Sequence, residues 1–130
     1  MTNDIAVKNT DLITAIEDKP LSDIIKPLVN KIHLFDTFIA GTTHLEDQSV
    51  LDDVELGMKV TLRRENNKFD DKAILVLDSR KRKLGYIPEK DNLVFSRLMD
   101  AGKLLIGKVT GVEKQGTFTR ISIGIYLVDY

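Results

Sequence analysis

The stretch KLLIGKVTGVEKQGTFTRISIGIYLV, residues 103–128, decides the fold class of this 130-residue chain. It predicts two long strands, 103–114 and 117–128, joined by a Lys-Gln-Gly turn. The second segment alternates apolar and other residues with a period of two, which is typical of a half-buried strand. Its apolar face consists of Ile121, Ile123, Ile125 and Leu127. Glycines inside both segments favour bends, as at the corners of a small barrel.

Further elements precede this strand pair. Four more strands are predicted, at residues 33–41, 58–64, 72–79 and at the end of the basic stretch 80–87. Residues 43–57 read as a loop with a turn of helix. Residues 88–103 are predicted to form a helix that begins at Pro88 and ends at Gly102. Its apolar face comprises Val94, Phe95, Leu98, Met99 and Ala101.

Six short strands and one internal helix predict a mainly β domain, a small and strongly bent barrel with the helix closing one side. The domain spans residues 33–130. Residues 1–32 are acidic and interrupted by Pro20 and Pro27, and they are predicted to form a helical N-terminal extension.

Composition narrows the class of protein. The chain is 42% apolar and 30% charged, which are ordinary globular values. It has no cysteine, so disulfides and thiolate metal sites are excluded. No apolar run approaches the roughly 18 residues of a membrane span, and the N-terminus lacks the layout of a signal peptide. A cytoplasmic protein without membrane association is the default expectation.

The net charge of −1 hides an uneven distribution. Residues 1–57 carry 4 Lys/Arg and 11 Asp/Glu, a net charge of −7. Residues 58–110 carry 13 and 7, a net charge of +6. Such a split is one indication of an interaction surface, and solvated charges that happen to cluster are the alternative.

Catalytic motifs are missing. GKLLIGKV at 102–109 matches seven positions of a phosphate loop, but Val109 replaces the Ser or Thr that binds magnesium. We interpret it as a strand with a bend at Gly107. His33 and His44, without cysteine, make a poor zinc site. No catalytic residue, metal site or cofactor is predicted.

RRENNKFDDKAI, residues 63–74, joins two predicted strands through many polar residues with one phenylalanine among them. Loops held by rigid strands often carry binding sites. Arg64 and Lys68 can attract phosphates, and an exposed Phe69 can stack on an unpaired base. Asn67 can hydrogen-bond to a base edge or to its own backbone.

Asp70 is the most informative residue of this loop. Phosphate repels a carboxylate, whereas a free hydroxyl can donate a hydrogen bond to it. A basic and aromatic site with one carboxylate would favour a strand end over a continuous strand. The alternative is structural: Asp70 and Asn67 cap the turn, and Phe69 folds into the core.

The pattern R-E-x-N-x-[FY]-D-x-x-A-I at residues 64–74, followed by G-Y-I-P at 85–88, resembles the HIRAN domain over residues 33–128. The resemblance implies a modified OB-like barrel. Such domains accompany Swi/Snf-type DNA translocases or stand alone in microbes. The characterised eukaryotic members bind single-stranded DNA at its 3′-hydroxyl end.

The resemblance also implies site residues. Asn67, Phe69 and Asp70 would line the site, with Asp70 near the terminal hydroxyl, Tyr86 opposite and Phe38 offering a stacking face. Two departures bear on specificity. Phe69 stands where tyrosine is common, and Thr37 stands where strand-end binders carry a basic residue.

Together these observations predict a non-catalytic domain that binds single-stranded DNA at a 3′ end, in DNA repair or replication-fork processing, with a DNA-processing protein as a further partner. Arg64, Lys68 and Lys90 would hold phosphates, and Phe38, Phe69 and Tyr86 would stack on bases or sugars. Two alternatives stay open. One is a protein- or peptide-interaction module on the same barrel, and the other is an undetected hydrolase or the accessory domain of one.

Overall fold

The computed structural model describes residues 30–129. The helices predicted for the N-terminal extension therefore lie outside the described residues. The first strand begins at Asn30, three residues before the predicted start of the domain.

Six strands and one α-helix make up the described part of the chain, as predicted. The strands are β1 Asn30–Phe38, β2 Lys59–Arg64, β3 Ile74–Leu77, β4 Lys83–Tyr86, β5 Leu105–Gln115 and β6 Phe118–Asp129. The α-helix is α1, Asn92–Asp100. Two short 3₁₀ helices, Thr42–His44 and Gln48–Asp53, occupy the segment predicted to be a loop with a turn of helix.

The strands form one sheet in the order β1-β6-β5-β2-β3-β4, so β1 and β4 are its edges. The pairs β2–β3, β2–β5, β3–β4 and β5–β6 are antiparallel. Just beyond β1, Ala40 pairs with Tyr86 of β4 through two backbone hydrogen bonds of 2.8 and 2.9 Å. The sheet is thus curled enough for its two edges to meet at this pair, consistent with a small OB-like barrel.

Gly85 permits this approach of the two edges. Its φ angle is 153°, and a Cβ there would lie 2.3 Å from the Ala40 carbonyl oxygen and 2.6 Å from Ile39 Cγ2. Only a residue without a side chain fits that space. The G-Y-I sequence therefore has a structural cause: Gly85 admits the other edge, Tyr86 pairs with it and Ile87 enters the core.

The core follows the predicted alternation in β2 and β6. Val60 and Leu62 are buried, as are Ile121, Ile123 and Ile125, whereas Leu127 is only partly buried. The predicted bend at Gly107 is misplaced. The β5–β6 register shifts between Val109 and Gly111 instead, while Gly107 is needed because a Cβ there would lie 2.5 Å from Val60 Cγ2.

The predicted apolar face of α1 is wrong at two positions. Phe95 is buried and Leu98 and Met99 pack on the core, but Val94 is 60% exposed and Ala101 is exposed. The inward stripe runs from Asn92 through Phe95, Ser96 and Met99, spaced as one side of a helix. Two of its members are polar, so a search for apolar residues alone could not find it. The helix is also shorter than predicted, because Pro88 to Asp91 form a turn before it.

Among residues 30–129, no helix has the length and apolar character that crossing a bilayer requires.

Candidate functional site

A cleft of about 340 Å³ lies beside the Ala40–Tyr86 pair that joins the two sheet edges. Three segments line it: the chain after β1, the loop between β2 and β3, and the end of β4. The lining residues are Ala40, Gly41, Asn67, Phe69, Asp70, Ala73, Tyr86, Ile87 and Glu89. Four residues of the predicted site, Asn67, Phe69, Asp70 and Tyr86, are therefore brought together.

Local hydrogen bonds fix the conformation of the β2–β3 loop. The Asn67 side-chain oxygen accepts a hydrogen bond from the Phe69 amide at 2.8 Å. One Asp70 carboxylate oxygen accepts from the Lys72 amide at 2.9 Å, and the Asp70 amide donates to the Asn67 carbonyl at 3.2 Å. These are Asx-type turns, in which short polar side chains satisfy nearby backbone amides. The capping role considered for Asn67 and Asp70 is real, and it leaves both residues on the cleft.

Phe69 is the most exposed large apolar residue among those described, with 84% of its surface accessible. The alternative that it folds into the core is wrong. Because its backbone amide is held by Asn67, the ring is presented at the cleft instead of collapsing inward. The ammonium of the neighbouring Lys68 lies 5.1 Å from the ring centroid, within cation–π range. An exposed aromatic face beside a cation suits the stacking of a planar ring.

The second carboxylate oxygen of Asp70 is hydrogen-bonded to a residue of α1. It accepts a hydrogen bond of 2.9 Å from the side-chain amide of Asn92, which is only 1% exposed. Asp70 is therefore fixed at both oxygens, by its own loop and by α1. An ionised carboxylate has about four acceptor positions, so each oxygen retains capacity for a further donor in the cleft.

Tyr86 borders the cleft with a phenol that stays protonated at neutral pH. The carboxylate of Glu65 beside it raises the pKa of Tyr86, and burial adds to the effect, while Lys83 opposes it. The Tyr86 hydroxyl accepts a hydrogen bond from the Lys83 ammonium at 3.2 Å, and that ammonium also lies 4.6 Å from the ring centroid. Within residues 30–129 one buried oxygen of Glu65 has no hydrogen-bond partner, so this carboxylate is poorly solvated.

Phe38 and Lys90 do not line the cleft. They form a separate aromatic and cationic cluster with Arg120, a residue that sequence reasoning did not single out. The Arg120 guanidinium lies 5.0 Å and the Lys90 ammonium 5.8 Å from the Phe38 ring centroid. Lys90 is also paired with Asp91 at 2.9 Å. Arg120 occupies an exposed position of strand β6. The alternation of this strand in the sequence could have identified it as an exposed basic residue.

Arg64 is engaged within the protein. Its guanidinium donates to the Asp100 carboxylate at 2.9 Å and to the carbonyls of Ala73 and Asp71 at 2.6 and 2.7 Å. These bonds use all three of its nitrogen atoms and tie the β2–β3 loop to the end of α1. The phosphate contact predicted for Arg64 stays a prediction, and a contact of that kind would compete with these internal bonds.

The family model described as the HIRAN domain matches residues 32–128. This chain belongs to the HIRAN domain family. HIRAN domains are known for binding nucleic acid.

Two solved structures resemble this HIRAN domain. A crystal structure of a protein from Lactobacillus plantarum is 30% identical, with a TM-score of 0.73, and the match covers 78% of this chain and 99% of that one. The crystal structure of the HIRAN domain of human HLTF is 18% identical, with a TM-score of 0.61, and the match covers 75% and 78% of the two chains. The second likeness shows the shared fold. A search among curated proteins found no match.

The HIRAN motif predicted the loop but not the residues that support it. Ala40, Gly41 and Glu89 line the cleft from outside the β2–β3 loop, and Asn92 orients Asp70 from below. Glu89 follows G-Y-I-P directly, so its place in the motif was a usable signal. No sequence signal indicated the role of Asn92, because a polar residue in a predicted amphipathic helix is normally assigned to the solvent-facing side. Within the described residues, no group of His, Asp and Glu could hold a metal ion.

Proposed function

We propose that this HIRAN domain binds single-stranded DNA at a 3′-hydroxyl end, in DNA repair or replication-fork processing, and does so without catalysis. The observation that carries the proposal is the charge of the cleft. Two carboxylates, Asp70 and Glu89, line it, and no Lys or Arg does so among the described residues. Such a cleft repels phosphate and favours a neutral group that donates hydrogen bonds.

The size of the cleft supports a single terminal nucleoside. About 340 Å³ is at the small end of the range for ligand pockets, roughly 300–1,000 Å³. A duplex does not enter a space of this size. The 3′-terminal nucleoside of a single strand carries a hydroxyl where every internal nucleoside carries a phosphate, so it is the group that matches both the size and the charge.

Each side of the cleft supplies one interaction. Phe69 offers its exposed ring to the terminal base, an interaction worth roughly 1–3 kcal/mol per stacked base. Asp70 accepts a hydrogen bond from the terminal hydroxyl. Lys68, which is exposed next to Phe69, is placed to contact the phosphate that precedes the terminal nucleoside.

The first test is the affinity for a fluorescent single-stranded oligonucleotide as a function of salt. Phosphate contacts release counterions, so affinity should fall with a slope of about −0.7 per contact in a plot of log affinity against log salt. A blunt duplex of the same sequence, which has no single-stranded end, should bind more weakly. Equal binding of the single strand and the duplex would overturn the proposal.

A second candidate function is binding of a protein partner at a different place. Leu34, Phe35, Val94, Phe95 and Leu98 line an apolar groove of about 430 Å³ between β1 and α1. Val94 is strongly exposed there, unusual for an apolar helix residue with apolar neighbours. Two results would establish this function. Binding of a protein partner should be insensitive to salt, and Val94→Asp should abolish that binding while the affinity for DNA stays unchanged.

A further inference from the structure

Three lysines line a second depression, which shares no lining residue with the cleft. Lys31 lies at the start of β1, Lys59 at the start of β2 and Lys108 in β5. Together with Tyr126 they line a depression of about 190 Å³. Lys31 and Ala40 are nine residues apart, or about 30 Å along an extended strand, so the depression is not a continuation of the cleft.

Repulsion between these lysines destabilises the protein when no ligand is bound. Lys59 and Lys108 are direct partners in the β2–β5 ladder. Like charges directly opposite each other across two strands destabilise a sheet. Lys31 then joins them from β1, which is three places from β2 in the sheet order. Lys31 lines the same depression as the pair, although β1 is not a neighbour of β2 or β5 in the sheet.

This crowding of positive charge affects the pKa of Lys31. The charge of Lys59 lowers the pKa of Lys31, and partial desolvation, a direct contact with Lys59 and the charge of Lys108 lower it further. Two neighbouring ammonium groups are both fully charged only if an anion lies between them or solvent screens them well.

The cluster has no ion-pair partner among residues 30–129. No carboxylate in this part of the chain lies within ion-pair distance of any of the three lysines, whereas Lys72, Lys90 and Lys114 each have an acidic partner. Asp36, which covers Gly124 together with Tyr126, accepts a hydrogen bond from His33 at 2.7 Å.

We propose that Lys31, Lys59 and Lys108 form an anion site separate from the cleft, which binds a phosphate group independently of the cleft. Lysine serves as a point-charge ligand for phosphate, and three ammonium groups around one depression suit a group with several anionic oxygens. The depression is smaller than the cleft, so it takes the phosphate and leaves the rest of the ligand outside. Two sources share this chemistry: the backbone of a nucleic-acid strand, and a free polyphosphate or nucleotide.

The test uses the full chain and two probes. The first probe is inorganic pyrophosphate at constant ionic strength, followed by ¹H–¹⁵N correlation spectra. Saturable shifts are expected at residues 59 and 108 and not at residues 69 and 70. The double variant Lys59→Thr/Lys108→Thr should lose at least tenfold in affinity. The control Lys103→Thr/Lys114→Thr, which removes the same charge elsewhere, should lose less than twofold.

The second probe is a labelled single-stranded oligothymidylate. If the nucleic-acid backbone is the source, the double variant should reduce the salt slope by about 0.7, the value for one phosphate contact. If pyrophosphate binding is lost in the variant while oligonucleotide binding is unchanged, the site stands and a free phosphate compound is its ligand. This pyrophosphate result does not depend on whether the cleft binds DNA.

A stability measurement provides the third readout. Without ligand, the double variant should unfold at a higher urea concentration than the wild type, because the repulsion between Lys59 and Lys108 is gone. Lys31→Ser, which alters an exposed position near the start of β1, gives the same comparison should the double variant fold poorly. Pyrophosphate binding that is unchanged in both variants, or absent in the wild type, would overturn the proposal.

Discussion

The side-chain amide of Asn92 donates a hydrogen bond of 2.9 Å to the carboxylate of Asp70. This bond links the buried face of α1 to the loop that borders the cleft. It holds one carboxylate oxygen from below, while the Lys72 amide holds the other from within the loop. The carboxylate proposed to read the strand end is thus oriented before any ligand arrives, which reduces the ordering cost of binding.

Removal of this support should reduce discrimination more than binding. Asn92→Ala leaves the Asp70 carboxylate held only by the Lys72 amide, so the preference for a 3′-hydroxyl over a 3′-phosphate should fall at least threefold. The loss of a buried hydrogen bond should also lower the free energy of unfolding by about 1–3 kcal/mol. Competition binding with the two oligonucleotides and urea denaturation measure the two effects. Ser96→Ala, on the same buried helix face but bonded to the Leu93 carbonyl, is the control and should keep the preference.

The exposed ring of Phe69 should contribute to binding without contributing to folding. Phe69→Ala should weaken oligonucleotide binding by roughly 1–3 kcal/mol, the range for one stacked base. The free energy of unfolding should change by less than about 0.5 kcal/mol, as for other surface positions. Leu56→Ala, at another exposed apolar residue, should alter neither quantity. An unfolded or strongly destabilised Phe69→Ala protein would show that the ring has a structural role.

The two basic residues of the loop should respond differently. Arg64→Leu breaks bonds to Asp100 and two carbonyls, so it should lower the free energy of unfolding by about 1–3 kcal/mol and leave the salt slope of binding unchanged. Lys68→Ala should leave stability unchanged and reduce the slope by about 0.7. A reduced salt slope in a folded Arg64→Leu protein would show that Arg64 contacts phosphate.

The close approach of the two sheet edges at Gly85 should make the stability of the domain sensitive to one added methyl group. Gly85→Ala places a Cβ against the Ala40 carbonyl and the Ile39 side chain, so it should destabilise the domain by more than about 2 kcal/mol. Gly116→Ala is the matched control: its φ is also positive, but a Cβ there meets nothing within 4 Å. Its cost should be confined to backbone strain of about 1 kcal/mol. Equal denaturation midpoints for the two variants would contradict the close approach.

The raised pKa of Tyr86 predicts sensitivity to alkali. The folded state holds this proton more tightly than the unfolded state, so its contribution to stability is present below the ordinary tyrosine pKa and is lost as pH rises through the folded pKa. Glu65→Gln removes the largest cause and should lower the Tyr86 pKa, as followed by NMR of ¹³C-labelled tyrosine. Glu89→Gln, at the other side of the cleft, should leave it in place.

Sequence predicted those features that a local pattern can express. The alternation around Val60 and Leu62 predicted a half-buried strand, and the composition of residues 63–74 predicted a polar loop between two strands. Contacts between residues that are far apart in the sequence were not predicted. Lys31 and Lys59 belong to strands three places apart in the sheet, and the strand order that brings them to one depression is contained in no local window.

Some residues of the candidate site could likewise be predicted from a local pattern, and others could not. Phe69 and Asp70 were identifiable because the motif places an aromatic residue and a carboxylate together in one loop. Asn92 was not, because its contact with Asp70 spans 22 residues and a polar residue on a buried helix face breaks the apolar pattern. The internal bonds of Arg64 were not predicted, because its sequence neighbours give no sign of Asp100, 36 residues away, as its partner.

The most direct test of the central claim compares two oligonucleotides that differ only at the 3′ end, one with a hydroxyl and one with a phosphate, by fluorescence anisotropy. The wild type should prefer the hydroxyl at least tenfold, or about 1.4 kcal/mol. Asp70→Asn should bring the ratio close to one, while Asp71→Asn, at the adjacent exposed carboxylate outside the cleft, should keep it. Equal affinity of the wild type for both ends, or an unchanged ratio in Asp70→Asn, would contradict recognition of the strand end by this cleft.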